Sequence, residues 1–295
     1  MLLLVLSSFL FGLSNPLAAF LVEDQDALIF AFQFLLMLVL IQLPFVLGRI
    51  NEVRSLKLRG QFDLLIISGL IGTFLYWCEF SSLQVGLPIS HVTFLLLTVP
   101  AWTLLWEYLR GRGTKTHLNK WMIALLGSII LISPNAKGQF SISYLLPIVT
   151  SLLTASWLIY SKKAQEKGIH PIVNSFFNDL FSLMGVSIFI VINGKTQAIV
   201  LPANVGNIFI YSAVIGVLPN LLLFYGLRCS GVVAASMVIM LEPIMSGVLA
   251  VLIHDDSLGF NFMLGAFCIM LSNLPSETLL FIRKMRVSYA FQSFK

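Results

Sequence analysis

The fold is decided by two similar stretches, residues 88–106 (PISHVTFLLLTVPAWTLLW) and residues 232–250 (VVAASMVIMLEPIMSGVLA). Each has small residues near its start and a single proline, Pro100 or Pro243, deep in its apolar run. Each also follows a glycine-bearing turn and an aromatic-rich segment. One proline in an apolar helix can be a simple kink. Two prolines at matched places favour an internal repeat whose broken helices line a cavity, as in proteins that work by alternating access.

The composition assigns both stretches to a membrane protein. The 295 residues are 58% hydrophobic and 11% charged, with a mean hydropathy of +0.94. Soluble chains are about 45–50% apolar and about 25% charged, so this chain has too little polar surface to cover a globule in water. A soluble enzyme, a disordered protein and a nucleic-acid-binding protein are excluded, although the net charge is +5.

Ten segments of the chain reach the length of about 20 mostly apolar residues that a membrane-spanning helix needs. We therefore predict an all-α integral membrane fold of two inverted five-helix repeats, because an odd number of spans per half inverts the second half. The repeats are expected at residues 1–138 and 139–285, followed by a cytoplasmic tail at residues 286–295. The predicted spans are residues 2–22, 27–48, 61–81, 88–109, 119–134, 141–161, 170–192, 204–226, 231–253 and 259–282.

The charge distribution supports this count and gives an orientation. When the start of the chain is placed in the cytoplasm, all 18 basic residues except Lys137 and Lys195 fall on the cytoplasmic side. Acidic residues collect on the opposite side, namely Glu23, Asp24, Asp26, Asp255 and Asp256. By the positive-inside rule, both termini are therefore expected in the cytoplasm.

The sequence carries no signature of an enzyme or of a cofactor site. The loops are too short for a nucleotide-binding domain, and no GxxxxGK[ST] motif is present. The four His residues lack the spacing of metal ligands, and the three Cys residues form no CxxC pair. We expect no cofactor, no metal and no enzymatic activity. The expected partners are a small-molecule substrate, protons and lipid, and both a monomer and a homodimer stay open.

Three motifs resemble the EamA-type transporters of the drug/metabolite transporter (DMT) superfamily. The run Leu241-Glu242-Pro243 is similar to the LEP stretch of that family, and residues 127–132 (GSIILI) and 265–270 (GAFCIM) match its glycine-led fifth and tenth helices. The resemblance implies a central pocket formed by the first, third, fourth, sixth, eighth and ninth helices. It also implies export or uptake of small metabolites, often amino acids, across a bacterial inner membrane.

Glu242 is the strongest candidate for binding substrate or protons. It lies near the middle of the ninth predicted span, directly before Pro243. A charge at this depth costs at least about 2.5–3.5 kcal/mol on insertion scales, so an acidic residue here is expected to have a function. Because proline removes a backbone donor and loosens the preceding turn, Glu242 is expected to face a hydrated cavity. The alternative is a protonated carboxyl group that forms an interhelical hydrogen bond.

Three further titratable residues are candidate ligands. Asp179 lies at a similar depth in the seventh span, where it is either part of a site or part of a polar seam with Asn174 and Asn178. Glu79 and His91 lie toward the outer face in the third and fourth spans, and antiparallel neighbours place them at similar depth. A Glu/His pair is able to relay protons near neutral pH. The alternative is an interfacial hydrogen bond at the helix ends.

Aromatic residues complete the candidate site. Trp102 and Trp157 lie deep in the fourth and sixth spans, and Tyr160 shares a helix face with Trp157. Aromatic faces beside carboxylates favour a cation or a zwitterion. The central part of each predicted span lacks Lys and Arg, which disfavours phosphate and dicarboxylate substrates.

Together these patterns predict a secondary active transporter of a small amino-acid-like or cationic metabolite that works by alternating access. Pro100 and Pro243 are the predicted hinges, and Glu242 is the candidate for proton coupling. One alternative is a broad-specificity exporter of lipophilic drugs, in which the aromatic residues matter and the acids do not. The other is a membrane scaffold without transport activity, which has no need of acids in the middle of its helices.

Overall fold

The computed structural model describes residues 2–22, 25–58, 61–133, 141–195, 205–254 and 259–273, and every regular element in these ranges is a helix. The helices are α1 Leu2–Phe11, α2 Ser14–Val22, α3 Ala27–Leu47, α4 Ile50–Leu58, α5 Phe62–Gln84, α6 Ile89–Leu96, α7 Val99–Leu109, α8 Lys115–Ile132, α9 Leu145–Glu166, α10 Pro171–Ile192, α11 Val205–Tyr211, α12 Leu218–Arg228, α13 Val232–Ile239, α14 Leu241–His254 and α15 Phe260–Asn273. A 3-10 turn, Ile142–Tyr144, precedes α9, and a π-helical segment, Ser212–Val217, joins α11 to α12.

Within the described ranges, eight helical segments are long and apolar enough to cross a membrane. They correspond to the first four predicted spans and to the sixth through ninth. The fifth predicted span is α8, whose first turns carry Lys115, His117 and Lys120. The tenth is α15, an apolar helix with 14 described residues. The chain is thus an all-helical, multi-pass membrane protein, and the count of ten spans stays a prediction.

Several predicted features lie outside the described residues. They are the tail at residues 286–295, the end of the tenth span, and the charged loop residues Glu23, Asp24, Lys137, Asp255 and Asp256. The cytoplasmic placement of both termini stays a prediction for the same reason. Lys195, predicted on the outer side, is described, and it pairs with Asp26 of the same predicted side.

Both proline-bearing spans are interrupted just ahead of the proline. Helix α6 gives way to α7 before Pro100, which is the second residue of α7. Helix α13 gives way to α14 at Met240, and Pro243 is the third residue of α14. Because proline has no N–H and its ring disfavours a helical residue before it, the hydrogen-bond ladder stops at the same place in both spans.

Side chains from other spans satisfy carbonyl groups at these two breaks. Asn273 Nδ2 of α15 donates to the carbonyl oxygen of Leu97 (2.8 Å) in the α6–α7 break. The Ser8 hydroxyl of α1 is shared between the carbonyl oxygens of Leu4 in its own helix (2.9 Å) and of Val238 at the end of α13 (3.1 Å). An unsatisfied backbone group costs several kcal/mol in a bilayer (about 2–7 for an amide moved from water). The two interruptions are therefore stable parts of the fold.

The contacts between helices repeat from one half of the chain to the other. Helix α5 packs on α9, and the corresponding α12 of the second half packs on α1. In the same way, α6 packs on α14, and α13 packs on α7. Two further pairs, α3 with α10 and α8 with α15, join corresponding helices of the two halves. Exchanging the halves leaves this pattern unchanged, as a two-fold relation between two repeats requires.

Two glycines allow α8 and α15 to approach closely. A Cβ atom on Gly265 would lie 2.5 Å from the backbone nitrogen of Leu131 and 2.6 Å from the carbonyl oxygen of Gly127. A Cβ atom on Gly127 would lie 2.8 Å from the carbonyl oxygen of Gly265. Small residues at such a contact let backbones pack directly, which is the main source of helix association in membranes.

Helix α10 is tied to α3 at one end and to α4, the helix that follows α3, at the other. At one end, Lys195 Nζ donates to Asp26 Oδ2 (2.5 Å). Partial burial raises the pKa of Asp26, but hydrogen bonds from Lys195 and from backbone N–H groups of α3 outweigh it, so this pKa lies below its ordinary value. At the other end, the backbone N–H of His170 donates to Glu52 Oε1 (2.9 Å).

A buried polar pair joins α3 and α10 between these ends. Gln42 Nε2 donates to Asp179 Oδ2 (2.6 Å), and both side chains are buried. Next to this pair, Asn178 Nδ2 bonds Asn174 Oδ1 (2.9 Å), and Asn174 Nδ2 bonds the carbonyl oxygen of Ser161 in α9 (2.9 Å). In this structure Asp179 therefore lies in a polar seam between helices.

Replacing Gly265 by alanine tests the α8–α15 contact. We expect Gly265→Ala to cost about 1–3 kcal/mol, because backbone atoms must move apart to admit the methyl group. The melting temperature of the purified protein in detergent measures this loss. Gly206→Ala is the matched control, since a Cβ atom there meets nothing within 4 Å and alanine is the better helix former. Equal melting temperatures for the two variants would contradict the close contact.

A double-mutant cycle tests the buried pair. We expect Asp179→Leu to lower the free energy of unfolding by about 1–3 kcal/mol, because the Gln42 amide loses a buried partner. Asp179→Asn keeps an acceptor oxygen and is expected to lose less. Gln42→Leu combined with Asp179→Leu should recover much of the stability, because an apolar pair leaves no unsatisfied group. Additive losses in thermal melting would refute the pairing.

Candidate functional site

A cavity of about 100 Å³ lies where the broken spans meet, with room for several water-sized groups. Its wall comes from the first, third, fourth, sixth, eighth and ninth predicted spans, with one residue from the second. The lining residues are Phe11, Ser14, Phe34, Gly72, Leu75, Tyr76, Glu79, Phe80, Leu96, Val99, Thr150, Thr154, Trp157, Leu158, Ile215, Asn220, Leu223, Ile239, Glu242 and Pro243.

Regular helix geometry places most of this wall. On α5 and α9, the lining residues recur every three or four positions, from Gly72 to Phe80 and from Thr150 to Leu158. This spacing selects one face of a helix. The interruptions ahead of α2, α7 and α14 supply the remaining polar backbone near the cavity. The site is therefore built from faces of α5 and α9, from residues beside three helix breaks, from the eighth span and from Phe34 of α3.

Two carboxylates face this cavity. Glu79 on α5 and Glu242 in the first turn of α14 are both half-buried and both line it. They lie close enough to interact electrostatically. Neither carboxylate has a hydrogen-bond or ion-pair partner within the part of the chain that the structure describes. The lining residues include no Lys, Arg or His. When these two carboxyl groups are ionised, they give the cavity a negative potential, which attracts cations.

Aromatic rings form much of the remaining wall. Phe34 lies 5.8 Å from both Tyr76 and Phe80 between ring centroids, and Tyr76 and Phe80 are 6.2 Å apart. On the sixth span, Trp157 packs edge-on against Phe224 at 5.3 Å. Ring faces beside carboxylates stabilise an organic cation more than a hydrated anion.

Several hydroxyl groups of the wall already have hydrogen-bond partners. Tyr76 on α5 and Asn220 on α12 are near neighbours in this wall. The hydroxyl groups of Thr150 and Thr154 donate to carbonyl oxygens one turn earlier in α9, at 2.9 and 2.8 Å. Ser14 Oγ lies 3.0 Å from the hydroxyl of a tyrosine in α11. Sequence reasoning missed Asn220 and both threonines. For Thr150 and Thr154, the helical spacing from Trp157 was available as a signal.

The structure brings three of the predicted ligands together at the cavity. Glu242, Glu79 and Trp157 all line it, as does the predicted hinge Pro243. Pro100, the other predicted hinge, is buried in the first turn of α7, and its neighbour Val99 reaches the wall.

The other predicted ligands lie elsewhere. His91 Nδ1 is 2.9 Å from Tyr144 Oη, and its ring stacks on Phe262 at 5.0 Å. Trp102 Nε1 donates to Ser151 Oγ (3.0 Å), which ties α7 to α9. Tyr160 packs under the ammonium group of Lys163 (4.4 Å) at the end of α9, and Asp179 belongs to the α3–α10 seam. None of these four side chains is among the residues that line the cavity.

Comparisons with known proteins identify the family. The model of the EamA-like transporter family matches residues 1–133 and again residues 141–274. A comparison with curated proteins gives no match. Among solved structures, one crystal structure of a protein superimposes with a TM-score of 0.60, covering 96% of this chain and 97% of that chain at 15% identity, which is a likeness of fold alone. Because the family model matches both halves in turn and covers most of the chain, this membrane protein belongs to the EamA-like transporter family.

Proposed function

We propose that this protein is a secondary active transporter that moves a small cationic or amino-acid-like metabolite through the central cavity by alternating access. The observation that carries the proposal is the pair of half-buried, unpartnered carboxylates, Glu79 and Glu242, in a cavity framed by broken helices. A non-transporting scaffold has no use for such a pair, since each carboxylate costs free energy at this depth. The proposal includes a bacterial inner membrane, as the family resemblance implies. It also places both termini in the cytoplasm, which the distribution of basic residues supports.

The repeated helix contacts supply a route for the conformational change. The two interrupted spans pack against each other, α6 on α14 and α13 on α7, with the cavity beside their breaks. A break in the hydrogen-bond ladder lets one half-helix tilt without unwinding the other. We propose that the two repeats rock about this contact and that Pro100 and Pro243 mark the hinges.

Proton coupling follows from the two carboxylates. When both are ionised, they repel each other across a small cavity of low polarity. Either a bound cation or a proton relieves this repulsion, so the two compete for the same negative charge. Exchange of a cation for protons is then the simplest secondary transport cycle for this site.

Charge removal tests the proposed site. Glu79→Gln and Glu242→Gln should each weaken binding of a transported cation about tenfold to a hundredfold, because a charged hydrogen-bond partner is lost. The measurement is uptake into proteoliposomes together with calorimetric binding. Glu107→Gln is the matched control, because Glu107 is also half-buried and does not line the cavity. Wild-type binding and uptake in both cavity variants would contradict the proposal. If, in addition, both cavity variants transport neutral lipophilic compounds at the wild-type rate, the alternative function, a lipophilic-drug exporter, replaces the proposed one.

The competition also predicts a pH dependence with a definite sign. Acidification on the side from which the cation binds should raise its apparent Kd in the wild type, because protons occupy the carboxylates. Glu79→Gln combined with Glu242→Gln should flatten this dependence. Among the described residues, the titratable side chains nearest the pair are Tyr76 and Tyr211. A Kd that is independent of pH in the wild type would refute proton competition.

A further inference from the structure

We infer that the cavity selects an organic amine that lacks a carboxylate over the amino acid of the same side chain. This inference rests on the proposed function and narrows its substrate class. An amino acid brings an ammonium group, which the two carboxylates suit, and a carboxylate, which needs its own partner. In proteins that partner is a basic side chain, the N-terminus of a helix, or a set of free hydrogen-bond donors.

Basic side chains are missing from the described wall of the cavity. None of its lining residues is Lys, Arg or His. The carboxylates of Glu79 and Glu242 face the same space, so a third carboxylate would meet two like charges. At protein interfaces, placing two like charges side by side costs about several kcal/mol of binding free energy. The wall therefore repels the carboxylate of an amino acid.

The helix N-termini near the cavity are poorly suited to replace a base. Helices α2, α7 and α14 all begin at the breaks, and each has a proline in its first turn, namely Pro16, Pro100 and Pro243. Each proline removes one of the N–H groups that hold an anion at a helix N-terminus. In α14 the first turn also contains Glu242, whose negative charge offsets the positive end of the helix dipole.

Three hydroxyl groups of the wall are also in use. Thr150 and Thr154 donate to carbonyl oxygens within α9, and Ser14 Oγ lies 3.0 Å from the Tyr211 hydroxyl. A substrate carboxylate must break these bonds to gain new ones, so little free energy remains for binding it. An ammonium group needs acceptors instead, and the carboxylates of Glu79 and Glu242 offer them without breaking any bond. The aromatic rings beside them add a favourable surface for the rest of the cation.

Matched pairs of ligands test the inference. 2-Phenylethylamine and phenylalanine differ by one carboxylate, as do cadaverine and lysine. With the full chain in proteoliposomes, calorimetry should give at least about a tenfold lower Kd for the amine of each pair, and transport currents should follow the same order. In Glu242→Gln, the difference within each pair should narrow, because one repelling charge is removed. Glu107→Gln, outside the cavity, should keep the wild-type difference.

The outcomes separate this inference from the proposed function. Tighter binding of the amines than of the amino acids, with this difference in Kd reduced in Glu242→Gln, supports both the inference and the proposed function. Equal or tighter binding of the amino acids, lost in Glu79→Gln and Glu242→Gln, overturns the inference and leaves a transporter that acts through these carboxylates. If the wild type neither binds nor transports either member of the two pairs, the proposed function fails and the inference fails with it. Binding that is unchanged in both cavity variants places the ligand elsewhere and also overturns both.

Discussion

Backbone hydrogen bonding in an apolar surrounding constrains this structure more than any other interaction. Every carbonyl and N–H group at membrane depth needs a partner within the protein, so a break in a helix survives only where other side chains reach it. The carbonyl of Leu97 is bonded by Asn273, and that of Val238 by Ser8. These bonds join distant parts of the chain, and they allow interrupted helices to meet beside a cavity. The packing of the two halves and the position of the polar site both depend on them.

The two halves share a backbone pattern but differ in charge. In the fourth span, Val99 precedes the proline at the break, whereas Glu242 holds that position in the ninth span. Both residues line the cavity, together with Glu79 on α5. A symmetric frame thus surrounds an asymmetric site, with its acids on α5 and α14. This arrangement places two acidic side chains and no basic one in the described wall of the cavity.

Features that depend on local sequence were predicted well. The helix breaks follow from prolines in apolar runs, and the six spans that supply most of the wall agree with those implied by the family resemblance. The depth of Glu242 and its neighbouring proline indicated a cavity residue. The membership of the EamA-type family, read from short motifs, is confirmed by a match over both halves.

Contacts between helices were harder to predict, because depth in the membrane does not fix rotation about the helix axis. Successive residues turn by about 100°, so two tryptophans at similar depth reach different surroundings. Trp157 lines the cavity, whereas Trp102 bonds a serine on the neighbouring α9. His91 contacts a tyrosine 53 positions later in the chain, and Asp179 pairs with Gln42, 137 positions earlier. No pattern in the local sequence predicts these contacts between distant residues.

The most direct test of the account is a structure of the protein with a bound bromine-labelled 2-phenylethylamine, located by anomalous scattering. The account predicts that the bromine lies within the central cavity among Phe34, Tyr76 and Trp157. The ammonium group should then lie within hydrogen-bond distance, about 3 Å, of Glu79 or Glu242. A ligand found outside this cavity, with both carboxylates left unengaged, would contradict the claim that these two acids form the transport site.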